Sequence, residues 1–243
     1  MFRHLLVAAI LASFAGCLVS SQPQAGNIET VTPAANTSVA AIKKKEPELE
    51  AKVKLIPPSR ETSPFLTNAN FVMDWTIVGP FTFKETDFGG GMQVESIDKE
   101  FMSDEPNLDC KTSKPPEGFA WKRITGSGKN NPGEVNFKEL LGEVDFDTVY
   151  CVCLLDVPAD MDNVVLKLGC DDYAKIWING KIVFVYNKER RASDWDQDIV
   201  KNISLKKGLN RIVVKCVNIV GGWNMYIRFT DSLGLPFKVE EGQ

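Results

Sequence analysis

Short hydrophobic runs separated by turn residues dominate the chain after residue 146. They have the length and β-branched content of strands, and several alternate between hydrophobic and polar positions: TVYCVCLLDVP, NVVLKLGC, KIVFVY, DIVKNISL, RIVVKCVNIV and WNMYIRFTD. Asn179-Gly180 lies between two runs and predicts a hairpin, because both positions tolerate the positive φ of a type I′ turn. No run has a helical period of core length, so the pattern predicts an all-β fold, an antiparallel β-sandwich.

Strand signals are sparser upstream of these runs. FVMDWTIVGPF at 71–81 predicts one strand. Residues 84–134 are polar and rich in turn residues, and only FAWKRIT at 119–125 predicts a short strand among them. VNFKELLG at 135–142 predicts a short helical turn. The folded domain is therefore expected to span residues 65–243.

Residues 17–64 are rich in Ser, Thr, Ala, Pro and charge, and aromatic residues begin only at Phe65. Such a composition buries too little apolar area to offset the entropy of ordering the chain. It predicts a disordered tether. The alternative is an N-terminal extension that packs on the domain.

The first residues, MFRHLLVAAILASFAGC, have the pattern of a secretory signal: Arg3 precedes an apolar stretch too short to span a bilayer. The small residues before Cys17 resemble the lipobox of bacterial lipoproteins, with Phe14 where leucine is usual. That resemblance implies a signal peptide at 1–16 and a lipid anchor on Cys17. It favours the outer membrane of a bacterial envelope, with the domain periplasmic or surface-exposed. The alternative is an ordinary cleaved signal with an incidental cysteine.

Removal of this signal also removes the single histidine, His4, which leaves no Ser-His-Asp or Cys-His nucleophile and no histidine-ligated zinc site. The full chain has a net charge of −4, and its basic residues do not form a stripe, so nucleic-acid binding is not expected. The acidic residues lie in turns, without the apolar pocket that raises the pKa of a catalytic acid. We therefore expect no enzymatic activity.

An odd number of cysteines remains if Cys17 is acylated: Cys110, Cys151, Cys153, Cys170 and Cys216. An odd set cannot pair completely within one chain. Four of the five fall inside predicted strands, where cysteine packs as a small hydrophobic residue, so buried thiols are favoured. One disulfide between neighbouring strands is the alternative. A metal site at Cys151 and Cys153 is the weakest interpretation, because no further ligands accompany them.

The order of the motifs is that of a known fold: WTIVGPF, WKRI, VNFKELLG, LGCDDYAKIWINGK, ERRASDWDQD, LKKGLNRIVVKCVN and GGWNMYIRFTD. It resembles the galactose-binding-like β-sandwich, or jelly-roll, modules of secreted bacterial proteins, over about residues 71–232. The resemblance implies an accessory, non-catalytic module. A second, local resemblance links the Asp-Asp hairpin to the PA14 domain, in which an Asp pair holds calcium in some adhesins; Tyr173 stands here in place of the glycine that follows the pair.

Asp171 and Asp172 offer oxygen ligands of the kind calcium prefers, and the next loop adds Asp194, Asp196 and Asp198. These residues form a calcium site if the two loops meet at one end of the sandwich. The alternative is that Asp171 caps a turn and that the loop carboxylates are solvated.

Sugar recognition combines an aromatic face with planar polar groups. The candidate residues are Trp195, Trp177, Trp223, Arg190, Arg191, Asn187 and Asn224. Trp195 ranks first because its loop is polar, whereas Trp177 fits a core position as well as a ligand platform. Trp223 follows Gly-Gly at a strand start, where a structural role is common, and Trp75 and Trp121 are expected in the core.

The sequence thus predicts a non-catalytic envelope lipoprotein whose β-sandwich binds a carbohydrate, either an envelope glycan or an external polysaccharide. The alternative is a structural or protein-interaction module of an envelope complex, with an envelope protein as partner and no sugar site. Calcium is the one candidate cofactor.

Overall fold

The computed structural model describes most of the chain from residue 48 onward, namely residues 48–63, 65–87, 92–129, 131–142 and 145–242. The predicted signal peptide, Cys17 and residues 18–47 of the predicted tether lie outside the described residues. None of the helices among the described residues is long and apolar enough to cross a membrane.

Twelve strands and two short α-helices account for the regular structure of the described residues. The strands are β1 (Lys52–Ile56), β2 (Asp74–Thr82), β3 (Lys122–Thr125), β4 (Val135–Asn136), β5 (Asp147–Val157), β6 (Met161–Cys170), β7 (Tyr173–Ile178), β8 (Lys181–Tyr186), β9 (Asp198–Leu205), β10 (Gly208–Asn218), β11 (Asn224–Thr230) and β12 (Lys238–Glu241). The helices are α1 (Met92–Asp98) and α2 (Phe137–Leu141), and single 3-10 turns lie at Asn68–Asn70, Glu85–Asp87 and Glu105–Asn107.

Two sheets pack as a sandwich, which confirms the predicted all-β class. The larger sheet has the order β12-β1-β5-β10-β7-β8, and β2 joins β5 and carries β3. The smaller sheet has the order β4-β11-β6-β9 and is antiparallel. The pairing differs from the prediction in one place, because β1 runs parallel to β5.

The main core lies between the sheets and follows from the period of two along each strand. Cys151, Cys153 and Leu155 of β5 alternate inward, and Ile227 and Phe229 of β11 face them from the other sheet. The helical turn predicted at 135–142 is confirmed as α2, whose N-cap Asn136 accepts a hydrogen bond from the Glu139 amide at 3.2 Å.

A second apolar cluster covers the outer face of the larger sheet. Tyr150, Val152 and Trp177 project from the strands, and Met102 and Leu108 from the polar segment 84–134 pack over them. Both faces of β5 are therefore buried, which explains why its sequence is hydrophobic at nearly every position. Segment 84–134 was predicted as polar and turn-rich, yet it forms part of the core.

The prediction of a disordered tether is wrong for residues 48–63. Strand β1 pairs with both β5 and β12, and Ala51, Val53 and Leu55 are each 1% exposed. The sequence KVKLI alternates as an ordinary strand does, but the surrounding Ser, Pro and charged residues dominated the composition. The alternative interpretation, an N-terminal extension that packs on the domain, is correct for residues 48–63. The domain therefore includes residues 48–63 and does not begin at residue 65.

Candidate functional site

The loop at 187–197 connects the edge strand of one sheet to the edge strand of the other and contains half of the predicted ligand and metal residues. The backbone of the loop lies directly on β6. It is so close that a Cβ added at Gly169 of β6 would collide with the Asp194 carbonyl oxygen. Only glycine permits this approach. The loop is thus seated on the outer face of the smaller sheet.

Arg191 anchors the loop at its first turn. Its Nε donates to the Cys170 carbonyl at 3.3 Å, and its guanidinium pairs with the Asp198 carboxylate and stacks 3.5 Å from the centre of the Tyr186 ring. The backbone N–H of Arg191 donates to Asp172 Oδ1 at 3.3 Å. Arg191 therefore holds the loop to the β6–β7 turn, and its side chain is only 14% exposed.

Arg190 lies at the same turn but faces outward. Its Nη2 donates to the Val220 carbonyl at 3.0 Å, and its Nε lies 3.6 Å from Asp172 Oδ1. With 49% of its side chain exposed, Arg190 retains free guanidinium surface.

Asp171 and Asp172 end β6 and precede β7, as predicted, and the peptide bond between them is cis. Asp172 accepts a hydrogen bond from the Ile219 amide at 2.8 Å and is 2% exposed. Asp171 is 7% exposed, and burial, followed by the neighbouring Asp172 carboxylate, raises the pKa of Asp171 to about 7. The pair ends β6, and the Asp172 carboxylate accepts from the backbone amides of Arg191 and Ile219.

Asp196 is held by two cations of the chain. Arg228 Nε donates to Asp196 Oδ1 at 2.7 Å, its Nη2 contacts Oδ2, and Lys167 Nζ lies 3.0 Å from Oδ2. Burial opposes ionisation of Asp196, but the hydrogen bonds from Arg228 and Lys167 outweigh it and lower the pKa of Asp196.

The five aspartates proposed as calcium ligands are not brought together around one point. Asp196 and Asp198 bind the chain's own cations, and Asp194 Oδ1 accepts from the Trp195 amide at 2.7 Å. Among the described residues, the one group of three candidate ligand atoms within 4.8 Å of one another is Glu50, Asp109 and Cys110. Lys111 and Arg211 already pair with those two carboxylates.

Two of the predicted sugar platforms are buried, so that part of the prediction is wrong. Trp177 and Trp223 are each 1% exposed. Trp177 packs under the segment that covers the larger sheet, and Trp223 packs against Phe137 with ring centroids 5.2 Å apart. Neither ring can present a face to a ligand. Trp75 is fully buried as expected, and Trp121 is half-buried against the outer cluster.

Asn187 is the first residue of the loop, and Asn224 contacts the loop from β11. Asn187 is half-buried. Asn224 Nδ2 donates to Glu134 Oε1 at 3.1 Å, and the Ser193 hydroxyl contacts Asn224 Oδ1. Asn224 is therefore a structural link between the loop and β11, contrary to its predicted role as a ligand contact.

Trp195 is the one predicted platform whose ring reaches solvent, with 37% of the residue exposed. Its ring lies 6.2 Å from the buried Phe71 ring, which lies 6.4 Å from the Tyr226 ring on β11. The Arg228 guanidinium lies 5.8 Å from the Phe71 ring centre. Trp195 thus sits on an aromatic base beside the Asp196 ion pairs.

The sequence did not predict two surface features, a cavity and an apolar edge. The cavity involves the segment that was predicted as a tether, and the edge depends on which strands pair with each other. A cavity of about 500 Å³ is lined by Pro57, Phe65, Asn70 and Lys238, among others. The edge strands β8 and β9 expose Ile182 (57%), Val185 (43%) and Ile199 (52%). The alternation in KIVFVY predicted a strand, but not that this strand ends its sheet.

Comparisons with known proteins give distant structural similarity. The chain matches no protein-family model and no curated protein sequence. A β-glucosidase from Kluyveromyces marxianus, solved in complex with glucose, aligns with a TM-score of 0.39 and 10% identity over 70% of this chain and 18% of the enzyme. A Faecalibacterium prausnitzii β-glucuronidase aligns with a TM-score of 0.36 and 17% identity over 67% of this chain and 22% of that enzyme.

A β-glucuronidase from an uncultured Clostridium species aligns with a TM-score of 0.32 and 13% identity, over 72% of this chain and 30% of the enzyme. The chain thus spans less than a third of these three enzymes. Similarities of this size carry no statement about activity.

Proposed function

We propose that this protein is a non-catalytic module that binds carbohydrate at the surface around Trp195. The observation that carries the proposal is the exposure of Trp195, 37% for the residue, on a loop that is fixed by ion pairs, with its ring 6.2 Å from the Phe71 ring. An aromatic face held in this way can cover the apolar C–H surface of a sugar ring. Because the loop is already ordered, little entropy is lost when a ligand binds.

Polar groups beside the indole suit sugar hydroxyls. Gln197, which is exposed, donates through Nε2 to the Ala192 carbonyl at 2.9 Å and keeps its amide oxygen available. The Lys167–Asp196 pair, whose side chains are 17% and 26% exposed, adds a charged donor and acceptor next to Trp195 in the sequence of the loop. The proposal thus assigns stacking to Trp195 and hydroxyl recognition to the loop and β6.

The module is proposed to work at a bacterial cell envelope, as a galactose-binding-like domain anchored through Cys17. The lipobox-like FAGC supports the anchor, and the order of the motifs supports the module. Envelope glycan or external polysaccharide is the corresponding ligand class. One acid departs from the sequence expectation, because burial raises the pKa of Asp171 to about 7. A non-catalytic role is still supported, since Asp171 is only 7% exposed.

The test is binding of residues 18–243 to a panel of polysaccharides and peptidoglycan, first with calcium and then with chelator. We expect saturable binding to at least one glycan, and loss of at least tenfold in affinity in Trp195→Ala with an unchanged Tm. Phe119→Ala is the matched control, because Phe119 is also 37% exposed but stacks on Phe81 over the larger sheet. Equal binding by Trp195→Ala and wild type would exclude this platform.

A second candidate function is protein interaction, supported by the apolar edge of β8 and β9. Ile182, Val185 and Ile199 expose 43–57% of their surface on strands that end their sheets. Unpaired edges of this kind accept a strand or an apolar face from a partner. A photo-crosslinking residue at 185 should then give one discrete adduct in envelope preparations, and Ile182→Lys should remove it. A blank glycan panel together with that adduct would favour this function.

A further inference from the structure

Two cysteines from opposite sheets meet in the core. Cys170 is the last residue of β6, and Cys216 lies within β10; their Sγ atoms are 2.8 Å apart although 46 positions separate them in sequence. Both residues are at most 1% exposed. Non-bonded carbon atoms in a packed core lie about 3.5–4.0 Å apart and sulfur is larger than carbon, so these two sulfur atoms are closer than packing alone explains.

We propose that Cys170 and Cys216 form a disulfide that links the two sheets of the sandwich. The sequence offered a bridge between neighbouring strands as an alternative to buried thiols, and the structure points instead to a bridge across the core. Disulfide formation removes one proton and one electron from each thiol. A small-molecule or protein disulfide accepts the electrons and protons by thiol–disulfide exchange and is released as two thiols.

The geometry selects this pair over the other cysteines. Cys151 lies on β5, opposite Val214 in the ladder, so it neighbours Cys216 in the same sheet. Both Cys151 and Cys153 face the main core and are fully buried. Cys110 is half-buried and lies by Glu50 and Asp109. Within the described residues, Cys170 and Cys216 are the one pair of cysteines whose sulfur atoms are in direct contact, as free thiols 2.8 Å apart.

The bridge would lie directly under the Asp171–Asp172 turn. The Asp172 amide donates to the Val217 carbonyl at 2.9 Å, and the Cys170 carbonyl accepts from Arg191 at 3.3 Å. A bridge between Cys170 and Cys216 would therefore fix the Asp171–Asp172 turn, which in turn holds the Trp195 loop through Arg191. Because the sulfurs are buried, the oxidant has to reach them before the core closes.

Peptide mapping tests the proposal without any substitution. The full chain is refolded from reducing denaturant in a glutathione redox buffer, alkylated without reduction and digested with trypsin. Cys170 falls in the peptide LGCDDYAK (168–175) and Cys216 in CVNIVGGWNMYIR (216–228), whereas Cys151 and Cys153 share the peptide 139–167. We expect a linked species of the first two peptides that separates on reduction. Full alkylation of both cysteines, or linkage of either to 139–167, would overturn the proposal.

A stability measurement provides the second readout. Removal of a disulfide that closes a long loop should lower the Tm of the oxidised protein by about 5–10 °C on addition of reductant. In Cys170→Ala/Cys216→Ala this reductant-dependent shift should vanish, and in the matched control Cys151→Ala it should persist. A shift that persists in the double variant contradicts the assignment. If the double variant does not fold, the peptide map of the unchanged chain still decides between the outcomes.

Discussion

Lys215 and Glu105 form an ion pair in the outer cluster of the larger sheet, with Nζ 2.9 Å from Oε1 and side chains 0% and 4% exposed. The Tyr150 hydroxyl contacts the same carboxylate oxygen, and Lys215 Nζ also donates to the Lys99 carbonyl at 2.6 Å. Burial opposes the charged form and lowers the pKa of Lys215, although Glu105 counteracts this. The pair fixes the covering segment onto β10.

Lys215→Met should therefore destabilise the protein by about 3–5 kcal/mol, because it leaves the Glu105 carboxylate buried without its cation. Lys215→Met/Glu105→Leu should recover much of this loss, since the double variant buries no charge. Chemical denaturation with a double-mutant cycle measures the coupling. Costs that simply add in the double variant would contradict this interpretation.

The matched control for this cycle is the exposed pair of Lys206 and Asp160, whose side chains are 72% and 61% exposed. Lys206→Met should leave the denaturation midpoint unchanged within error, because solvent screens the pair. A loss comparable to that of Lys215→Met would show that removal of any lysine has this effect, and the buried pair would lose its special role.

The packing of segment 84–134 on the larger sheet could not be predicted from the sequence. In RIVVKCVN, Lys215 occupies an ordinary polar position of an alternating strand, and its partner Glu105 lies 110 residues earlier in a turn-rich segment. Alternation predicts the strand and which residues share a face. It does not show that segment 84–134 buries the outer face of the larger sheet. For the same reason, the sequence could not decide whether Trp177 is a core residue or a ligand-binding residue.

The candidate site divides in the same way. The Asp171–Asp172 and Asn179-Gly180 turns are local features, and both were predicted correctly. The exposure of Trp195 followed from its polar loop. Its base, Phe71, is more than a hundred positions away, and the ion pairs of Asp196 depend on β6 and β11 lying side by side. Such pairings are set by topology, which a periodic pattern does not specify.

The raised pKa of Asp171, about 7, predicts a pH dependence of stability. Between pH 4 and 7 the native state retains a proton that the unfolded chain has lost, so stability should fall as pH rises through this range. The Asp172 carboxylate strengthens the effect, and Arg190 and Lys138 weaken it. Asp171→Asn should flatten the profile and add about 1–2 kcal/mol at pH 8, after allowance for solvent screening. Denaturation from pH 4 to 8 measures it, and an unchanged slope would contradict it.

Gly169→Ala should displace the Trp195 loop. The added Cβ meets the Asp194 carbonyl oxygen at 1.9 Å, so the loop has to move away from β6. We expect a loss of about 1–3 kcal/mol of stability, together with a change in Trp195 fluorescence and solvent quenching. Asp194→Ala is the control, because it removes only the side-chain hydrogen bond to the Trp195 amide and leaves the backbone contact intact. Identical spectra for Gly169→Ala and wild type would show that the loop does not rest on β6.

Asp196→Asn should release the same loop from its other anchor. Arg228, with 6% of its side chain exposed, loses its anionic partner, so we expect a cost of about 2–4 kcal/mol. Because the pKa of Asp196 is lowered, its contribution is present above about pH 4 and is lost as the pH falls through the lowered native value. The variant should therefore be less stable than the wild type at neutral pH, and its free energy of unfolding should decrease less than that of the wild type as the pH falls. An unchanged acid profile would contradict the role of this pair.

A chain that begins at residue 65 should fail to fold stably, whereas one that begins at residue 48 should retain the wild-type Tm. The shorter chain lacks β1, which removes the buried Val53 and Leu55 and exposes one edge each of β5 and β12. Losing several buried apolar side chains and a whole set of strand hydrogen bonds exceeds the few kcal/mol by which a domain is stable. Circular dichroism and thermal melts of both chains compare them directly. Val53→Lys in the longer chain serves as the point-substitution control, since it disrupts the packing of β1 without shortening the chain. Cooperative melting of the shorter chain at the wild-type temperature would show that β1 is a dispensable addition to the sandwich.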